Sequence, residues 1–135
     1  MARILVIEDD HHVRALLTEL LLRDGHTVTA AADGAAGLER FAAAPADLVV
    51  VDLFLPDQSG WNTLRALEER APGLPFIIVS GGGALEGLRK GSRATLSGLQ
   101  GVAPFRILRK PLELRVFSAA VVELLSDRLA AEGAP

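Results

Sequence analysis

The sequence predicts an α/β fold, a doubly wound five-stranded parallel sheet with helices on both faces. Short apolar runs alternate along the chain with longer segments whose apolar residues recur at helical spacing. Residues 48–51 and 76–79 are apolar at every position, which is typical of strands buried on both faces of a parallel sheet. Strands that alternate with helices in this way pair in parallel through right-handed crossovers.

Five apolar runs are the predicted strands. In chain order they cover residues 4–7, 27–31, 48–52, 76–79 and 106–108. The second is the weakest, since threonine and alanine replace the large aliphatic residues of the others. The third is the clearest, because it runs directly into Asp52 and is followed by Pro56 and Gly60, which mark a loop.

A predicted helix follows each strand. The first has Asp10 as a candidate cap and ends near Gly25, and Asp33 is a plausible N-cap for a second helix through Ala44. The third ends before Pro72. The fourth, from residue 85 to about 100, is poor because three glycines interrupt it. The last carries an apolar stripe at positions 114, 117, 121, 124 and 125, and the tail from 131 to 135 is expected to fray.

Length and composition bound the classes of function. The 135 residues suit one domain, predicted at residues 1–130, and half of them are apolar, enough for a real core. A net charge of −3 argues against a broad nucleic-acid surface. The absence of cysteine excludes disulfides and thiolate metal sites, in keeping with the cytoplasm. No apolar run is long enough to span a membrane.

Polar side chains follow four of the five strands. Glu8 and Asp9 follow the first, Asp52 ends the third, Ser80 ends the fourth and Lys110 follows the fifth. Because parallel strands share one carboxyl edge, these groups are predicted to gather there. Carboxylates held close repel each other and require either a cation or raised pKa values, and an all-oxygen set without Cys or His favours Mg²⁺. A carboxylate nucleophile beside a lysine and a hydroxyl suggests phosphoryl transfer onto Asp52.

The order of these residues resembles the receiver domain of bacterial two-component response regulators, which has a (βα)5 flavodoxin-like fold. The resemblance covers nearly the whole chain. It implies that Asp52 is the phosphoacceptor, and that Asp9 and Glu8 bind Mg²⁺ directly and through water. It further implies a metal contact from the backbone carbonyl of Phe54. Ser80 and Lys110 would bind the phosphoryl oxygens, with a cis peptide between Lys110 and Pro111.

Three departures from the family pattern stand out. Ile107 occupies a position that is often Tyr or Phe, and Phe105, two residues earlier, lies on the same side of the strand. The thirty positions from Ser80 to Lys110 are more than receivers usually have, and glycines fill the excess. The chain carries no output domain after its last helix, so it is expected to act as a stand-alone receiver or to be part of a longer protein.

The resemblance implies a histidine kinase or phosphotransfer protein as phosphodonor and a downstream protein partner, with no direct nucleic-acid or membrane binding. A homodimer stays open. Such a domain is not a turnover enzyme, since it catalyses only its own phosphorylation and dephosphorylation. The alternatives are a scaffold that works without phosphorylation and a hydrolase of the haloacid dehalogenase type. The hydrolase needs a second acid two residues after Asp52, where Phe54 stands.

Several residues admit more than one interpretation. His11 and His12 are expected to be solvated, and Trp61 to pack at the surface rather than to contact a partner or cover the site. The glycines at 81–83 are interpreted as a loop that serves Ser80. Residues 116, 119, 120 and 122 broaden the apolar stripe of the last helix, which makes them either core or a partner face.

Overall fold

The structure is a computed structural model that describes residues 2–53, 55, 57, 60–81 and 105–133. The five strands are β1 (Arg3–Ile7), β2 (Thr27–Ala31), β3 (Leu48–Asp52), β4 (Phe76–Ser80) and β5 (Phe105–Arg109). The described helices are α1 (His11–Arg23), α2 (Gly34–Ala43), α3 (Gly60–Arg70) and α4 (Leu114–Gly133). The helix predicted between residues 85 and 100 lies outside the described residues.

The strands form one parallel sheet in the order β2-β1-β3-β4-β5. This confirms the predicted α/β fold and its five parallel strands. The central strands β3 and β4 are buried at every residue, whereas the edge strands β2 and β5 are only half buried. Burial on both faces explains the uninterrupted apolar runs of the central strands, and edge exposure explains the weaker pattern of residues 27–31.

Alternate residues of each strand point to opposite faces of the sheet and form two cores. On one face, side chains of β1, β3 and β4 pack against Phe41 of α2 and Leu64 and Leu67 of α3. On the other face, they pack against Leu17 of α1 and Phe117 of α4. The fold therefore has three layers, with the helices divided between the two faces.

Two of the helices begin at the predicted caps. The side chain of Asp10 accepts hydrogen bonds from the backbone N–H groups of His12 and Val13 at 2.9 and 3.1 Å. Asp33 accepts one from Ala36 N–H at 2.7 Å. Each carboxylate satisfies donors that a helix cannot satisfy internally, so both predictions are confirmed.

The last helix, α4, continues to Gly133 and thus includes residues 131–133 of the expected frayed tail. Its apolar stripe is divided: Ala120 lies in the core, but Val116 and Val122 are 46% and 61% exposed. The boundary of the domain at residue 130 stays a prediction. None of the helices in the described ranges is long and apolar enough to cross a membrane.

Candidate functional site

The carboxyl edge of the sheet gathers the polar residues that follow the strands. Glu8, Asp52 and Ser80 are buried, at 2%, 4% and 0% exposure, while Asp9 is exposed. The backbone holds these strand ends in register, because Leu53 N–H donates to the Val79 carbonyl at 3.2 Å. Burial of two carboxylates is costly unless a cation or donor lies close to them.

Lys110 supplies that cation. Its Nζ donates to Glu8 Oε1 at 2.5 Å and to Asp52 Oδ2 at 2.9 Å, across 102 and 58 positions of sequence. The backbone N–H of Lys110 also donates to the Ser80 carbonyl at 2.8 Å, and the Lys110–Pro111 peptide bond is cis, as expected. The ammonium thus lies between the two buried acids, and the backbone of Lys110 is hydrogen-bonded to the end of β4.

The pKa values respond to this arrangement. Burial raises the pKa of the Glu8 carboxyl, and Asp52 raises it further, while Lys110 acts in the opposite direction. Burial alone would lower the pKa of Lys110, but its hydrogen bonds to Glu8 and Asp52 outweigh that effect and hold the pKa above its ordinary value. Lys110 is therefore a cation at neutral pH.

The three acids also fit a metal ion. One carboxylate oxygen from each of Glu8, Asp9 and Asp52 lies within 4.8 Å of the others, the only such cluster of potential ligands among the described residues. Glu8 Oε2 is buried and has no hydrogen-bond partner in the described part of the chain. A buried oxygen without a donor is costly, and a cation would satisfy it. Oxygen ligands alone favour a hard ion such as Mg²⁺.

Ser80 contributes a hydroxyl to the same edge. Its side chain is fully buried, and among the described residues its Oγ has no hydrogen-bond partner. Such a hydroxyl is available to an incoming oxygen atom, since it has one donor and two acceptor positions. Its role in binding a phosphoryl group stays a prediction.

Other sequence predictions have mixed outcomes. Phe54 lies outside the described residues, so its carbonyl remains an expected metal ligand only. Ile107 and Phe105 pack against the same core cluster, which confirms that they share one side of β5. Trp61 is half buried against that cluster, in keeping with packing. His11 and His12 are exposed, as expected for solvated residues.

Two contributors were missed by the sequence analysis. Arg14 of α1 donates from one guanidinium nitrogen to the Glu8 carbonyl at 3.0 Å and to the Asp9 carbonyl at 3.5 Å. Asp57, in the loop after Asp52, binds the start of α2. Arg14 lies one turn into α1, only six and five positions after Glu8 and Asp9, so its contacts could have been predicted from the sequence. No local pattern predicts the contact of Asp57 with α2.

A parallel α/β sheet with buried acids, a lysine and a hydroxyl at its carboxyl edge defines a class of phosphoryl-accepting signalling domains. The model of the response regulator receiver domain matches residues 4–121. The chain belongs to the response regulator receiver domain family. Receiver domains serve phosphorylation-based signalling in two-component systems and bind Mg²⁺ at an acidic pocket.

Curated relatives include the TorCAD operon transcriptional regulatory protein TorR of Escherichia coli O157:H7. TorR is 34% identical over 122 residues, which are 90% of this chain and 49% of TorR. The probable transcriptional regulatory protein SilR of Salmonella typhimurium is 34% identical over 89 residues, 66% of this chain and 39% of SilR. The chain therefore spans less than half the length of these relatives.

Solved structures of similar size share the fold. A response regulator receiver domain protein from Clostridium thermocellum is 29% identical with a TM-score of 0.81, over 97% of this chain and 99% of that one. A CheY-like receiver domain protein from Methanospirillum hungatei is 27% identical with a TM-score of 0.82, over 98% and 99%. These likenesses agree with the five-stranded parallel architecture.

Proposed function

We propose that this receiver domain, residues 1–130, accepts a phosphoryl group on Asp52 and signals through the resulting change of conformation. The observation that supports this most is the convergence of Glu8, Asp52 and Lys110 at one edge of the sheet, where the Lys110 ammonium lies within hydrogen-bond distance of both carboxylates. A buried carboxylate already in contact with a cation suits an acceptor that must add further negative charge.

An oxygen of the Asp52 carboxylate attacks the phosphorus of a phosphohistidine on the donor protein. The P–O bond forms as the P–N bond breaks, and the departing imidazole takes up one proton. The product is an aspartyl phosphate, in which the phosphoryl group carries two negative charges at neutral pH. Lys110 and the Ser80 hydroxyl, which has no hydrogen-bond partner among the described residues, would donate to two of its oxygens.

Glu8, Asp9 and Asp52 would hold Mg²⁺, together with the carbonyl of Phe54. When bound, the ion supplies positive charge to oxygen atoms of the transferring group. Arg14 would keep Glu8 and Asp9 in place, because it binds the carbonyls of both residues. Lys110 would exchange its contact with Glu8 for one with the phosphoryl group, and this exchange would carry the signal to β5 and α4.

The partners follow from this reaction. A histidine kinase or a phosphotransfer protein would supply the phosphoryl group in the cytoplasm, and a protein would receive the output. The chain would turn over no substrate beyond its own phosphorylation and dephosphorylation. If Phe54 shields the acyl phosphate from water, Phe54→Asn is expected to hasten dephosphorylation, and an unchanged rate would exclude that role.

A second candidate is a scaffold that binds partners without phosphorylation. The observation that favours it is Ile107, which is half buried against the core at a position where the family often has an aromatic residue. Without a ring that can reorient, β5 has one fewer means of reporting phosphorylation. The complete set of acids, hydroxyl and lysine favours the phosphorylated receiver.

Incubation with Mg²⁺ and acetyl phosphate tests the proposal. We expect a phosphoryl adduct in the intact mass of the wild type, none in Asp52→Asn, and a full adduct in Asp24→Asn, an exposed acid at the end of α1. The fluorescence of Trp61 should change with Mg²⁺ and beryllofluoride. An adduct that persists in Asp52→Asn would refute the assignment, and no adduct in the wild type would favour the scaffold.

A further inference from the structure

The segment that joins β1 to α1 carries two of the three acids at the carboxyl edge, and Arg14 binds it from the helix. Side chains in a helix are tilted toward its amino terminus, so the half-buried Arg14 side chain reaches back over this segment. Its Nη1 donates to the Glu8 carbonyl at 3.0 Å and, more weakly, to the Asp9 carbonyl at 3.5 Å. Because the donor is charged, these bonds are stronger than bonds between neutral groups. Arg14 thus restrains the backbone of both acids.

The second nitrogen of the same guanidinium contacts His11. Nη2 of Arg14 lies 3.3 Å from Nδ1 of His11, the first residue of α1. Arginine carries donors only, so Nδ1 accepts this hydrogen bond and the proton of the neutral ring lies on Nε2. The planar guanidinium is therefore bound through both of its terminal nitrogens, which restricts its rotation.

The Asp9 carboxylate depends on its backbone more than the other two acids do. Glu8 and Asp52 are buried, and Lys110 donates to both. Asp9 is exposed, and its carboxylate makes no hydrogen bond or ion pair within the described ranges. One of its oxygens nevertheless lies within 4.8 Å of a potential ligand atom from each of the other acids. The conformation of the backbone at Asp9 is what places this oxygen there.

We propose that Arg14 is a positioning residue for the metal site and that His11 orients its guanidinium. This inference rests on the proposed function, in which Glu8 and Asp9 hold Mg²⁺. A restrained backbone presents both carboxylates without first being ordered, whereas a free segment loses conformational entropy when the ion binds. Arg14 would therefore act on Mg²⁺ affinity without touching the ion.

The charge of Arg14 acts in the opposite direction, so the sign of the effect is informative. A guanidinium near the acidic edge repels a divalent cation, and its removal would tighten Mg²⁺ binding if charge alone mattered. Loss of positioning weakens binding instead. Arg14→Lys keeps the charge but loses the planar arrangement of donors, so it separates the two effects.

Mg²⁺ titrations of the metal-free protein, followed by the amide chemical shifts of residues 8 and 9, compare wild type, Arg14→Ala, Arg14→Lys and Arg23→Ala. We expect Arg14→Ala to weaken Mg²⁺ binding about tenfold, the lower end of the range for lost outer-shell partners. Arg14→Lys should weaken it about threefold, because an ammonium replaces only part of the contact. Arg23→Ala is the matched control, since it removes an exposed arginine and the same charge from the other end of α1. It should stay within about twofold of wild type.

His11 and His12 provide a second matched pair. Both are exposed in the first turn of α1; the His11 ring contacts Arg14, whereas the described contact of the His12 ring is with His11. His11→Ala should weaken Mg²⁺ binding about threefold, the effect of one lost hydrogen bond, and His12→Ala should leave it unchanged. The double variant His11→Ala/Arg14→Ala should bind no more weakly than Arg14→Ala, because His11 acts through Arg14.

Two further measurements separate positioning from general loosening of the fold. In the metal-free protein, amide hydrogen exchange of residues 8–10 should quicken in Arg14→Ala but not in Arg23→Ala. With acetyl phosphate, Arg14→Ala should raise the half-saturating Mg²⁺ concentration and leave the maximal rate of phosphorylation unchanged. A merely structural role would not produce this division between affinity and rate.

Several outcomes would overturn the inference. Arg14 has no positioning role if Arg14→Ala binds Mg²⁺ as tightly as wild type, more tightly, or only as weakly as Arg23→Ala does. Should circular dichroism show that Arg14→Ala does not fold, wild-type affinity in Arg14→Lys refutes the role instead. Additive losses from His11→Ala and Arg14→Ala would refute the orienting role of His11. If the wild type neither binds Mg²⁺ nor becomes phosphorylated, the proposed function fails, and this inference fails with it.

Discussion

Replacement of Gly60 by alanine should damage this domain more than any other single methyl group added at a described glycine. A Cβ at Gly60 would lie 2.2 Å from the Asp52 carbonyl oxygen and 2.6 Å from Leu53 Cα. Ordinary contact begins at 3.4 Å, so the start of α3 and the end of β3 would have to separate by about 1.2 Å. Both groups are backbone, so no side-chain rotation can relieve the clash.

The expected cost follows from the contacts at this point. Overpacking of a rigid site costs about 1–3 kcal/mol, and this site belongs at the upper end. The hydrogen bond from Gly60 N–H to the Leu53 carbonyl would lengthen, which adds about 1 kcal/mol. Loss of glycine entropy in the unfolded chain offsets about 0.4–1 kcal/mol. The net loss is about 3 kcal/mol, or a fall in Tm of roughly 10 °C for a domain of this size.

Thermal and urea unfolding followed by circular dichroism measure this loss, with two other glycines as controls. A Cβ at Gly37 would meet Cδ1 and Cγ1 of Ile7 at 2.5 and 2.9 Å, and these side-chain atoms can shift more readily than backbone can. A Cβ at Gly81 would lie 3.6 Å from Lys110, an ordinary contact. Stability should therefore fall in the order Gly60→Ala, Gly37→Ala, Gly81→Ala, from largest to smallest loss. A Gly60→Ala protein as stable as Gly81→Ala would refute the reasoning.

The other predictions concern stability and its dependence on pH. Phe117→Ala removes a fully buried ring and should cost about 3–5 kcal/mol in urea unfolding, whereas Val122→Ala, at an exposed site, should cost less than about 0.5 kcal/mol. Glu19→Gln breaks the highly exposed ion pair with Arg23, four residues later in α1, and should change the free energy of unfolding by less than about 0.5 kcal/mol. Hydrogen bonds from Val13 and His12 hold the pKa of Asp10 below its usual value, so its stabilisation is lost as pH falls through the folded pKa; Asp10→Asn should remove this acid sensitivity. Burial raises the pKa of Glu68, so its contribution has the opposite sign and is lost as pH rises above 4.5, the value for the unfolded chain; Glu68→Gln should remove that decline, and identical pH profiles for the two variants would contradict both assignments.

The sequence predicted what depends on local patterns. Short apolar runs located all five strands, and the capping carboxylates Asp10 and Asp33 were identified because a cap and its helix are neighbours in the chain. The meeting of Glu8, Asp52 and Lys110 was also predicted, since parallel strands share one carboxyl edge. Connectivity alone thus brings together residues more than a hundred positions apart.

Contacts that depend on distance in space were not predicted. Asp57 looks like an ordinary turn residue, and only the packing of α2 and α3 on one face of the sheet brings it to Gly34 and Ala35. The close approach of Gly60 to the backbone of Asp52 and Leu53 could not be predicted from the sequence either, because a glycine after a loop has many explanations. The division of the α4 stripe between core and solvent also required the structure, since periodicity does not reveal how wide a buried face is.

The site and the fold depend on each other through β5. Glu8 and Asp52 can remain buried because Lys110 contacts both, and Lys110 reaches them only while β5 pairs with β4. The hydrogen bond from Lys110 N–H to the Ser80 carbonyl joins the backbone of Lys110 to the residue whose hydroxyl lies in the same pocket. A displacement of Ser80 would therefore move Lys110, and loss of Lys110 from the acids would expose them to an uncompensated burial cost. Because the same lysine neutralises the pocket and joins it to the edge strand, a change of charge at Asp52 is expected to act on β5 through Lys110.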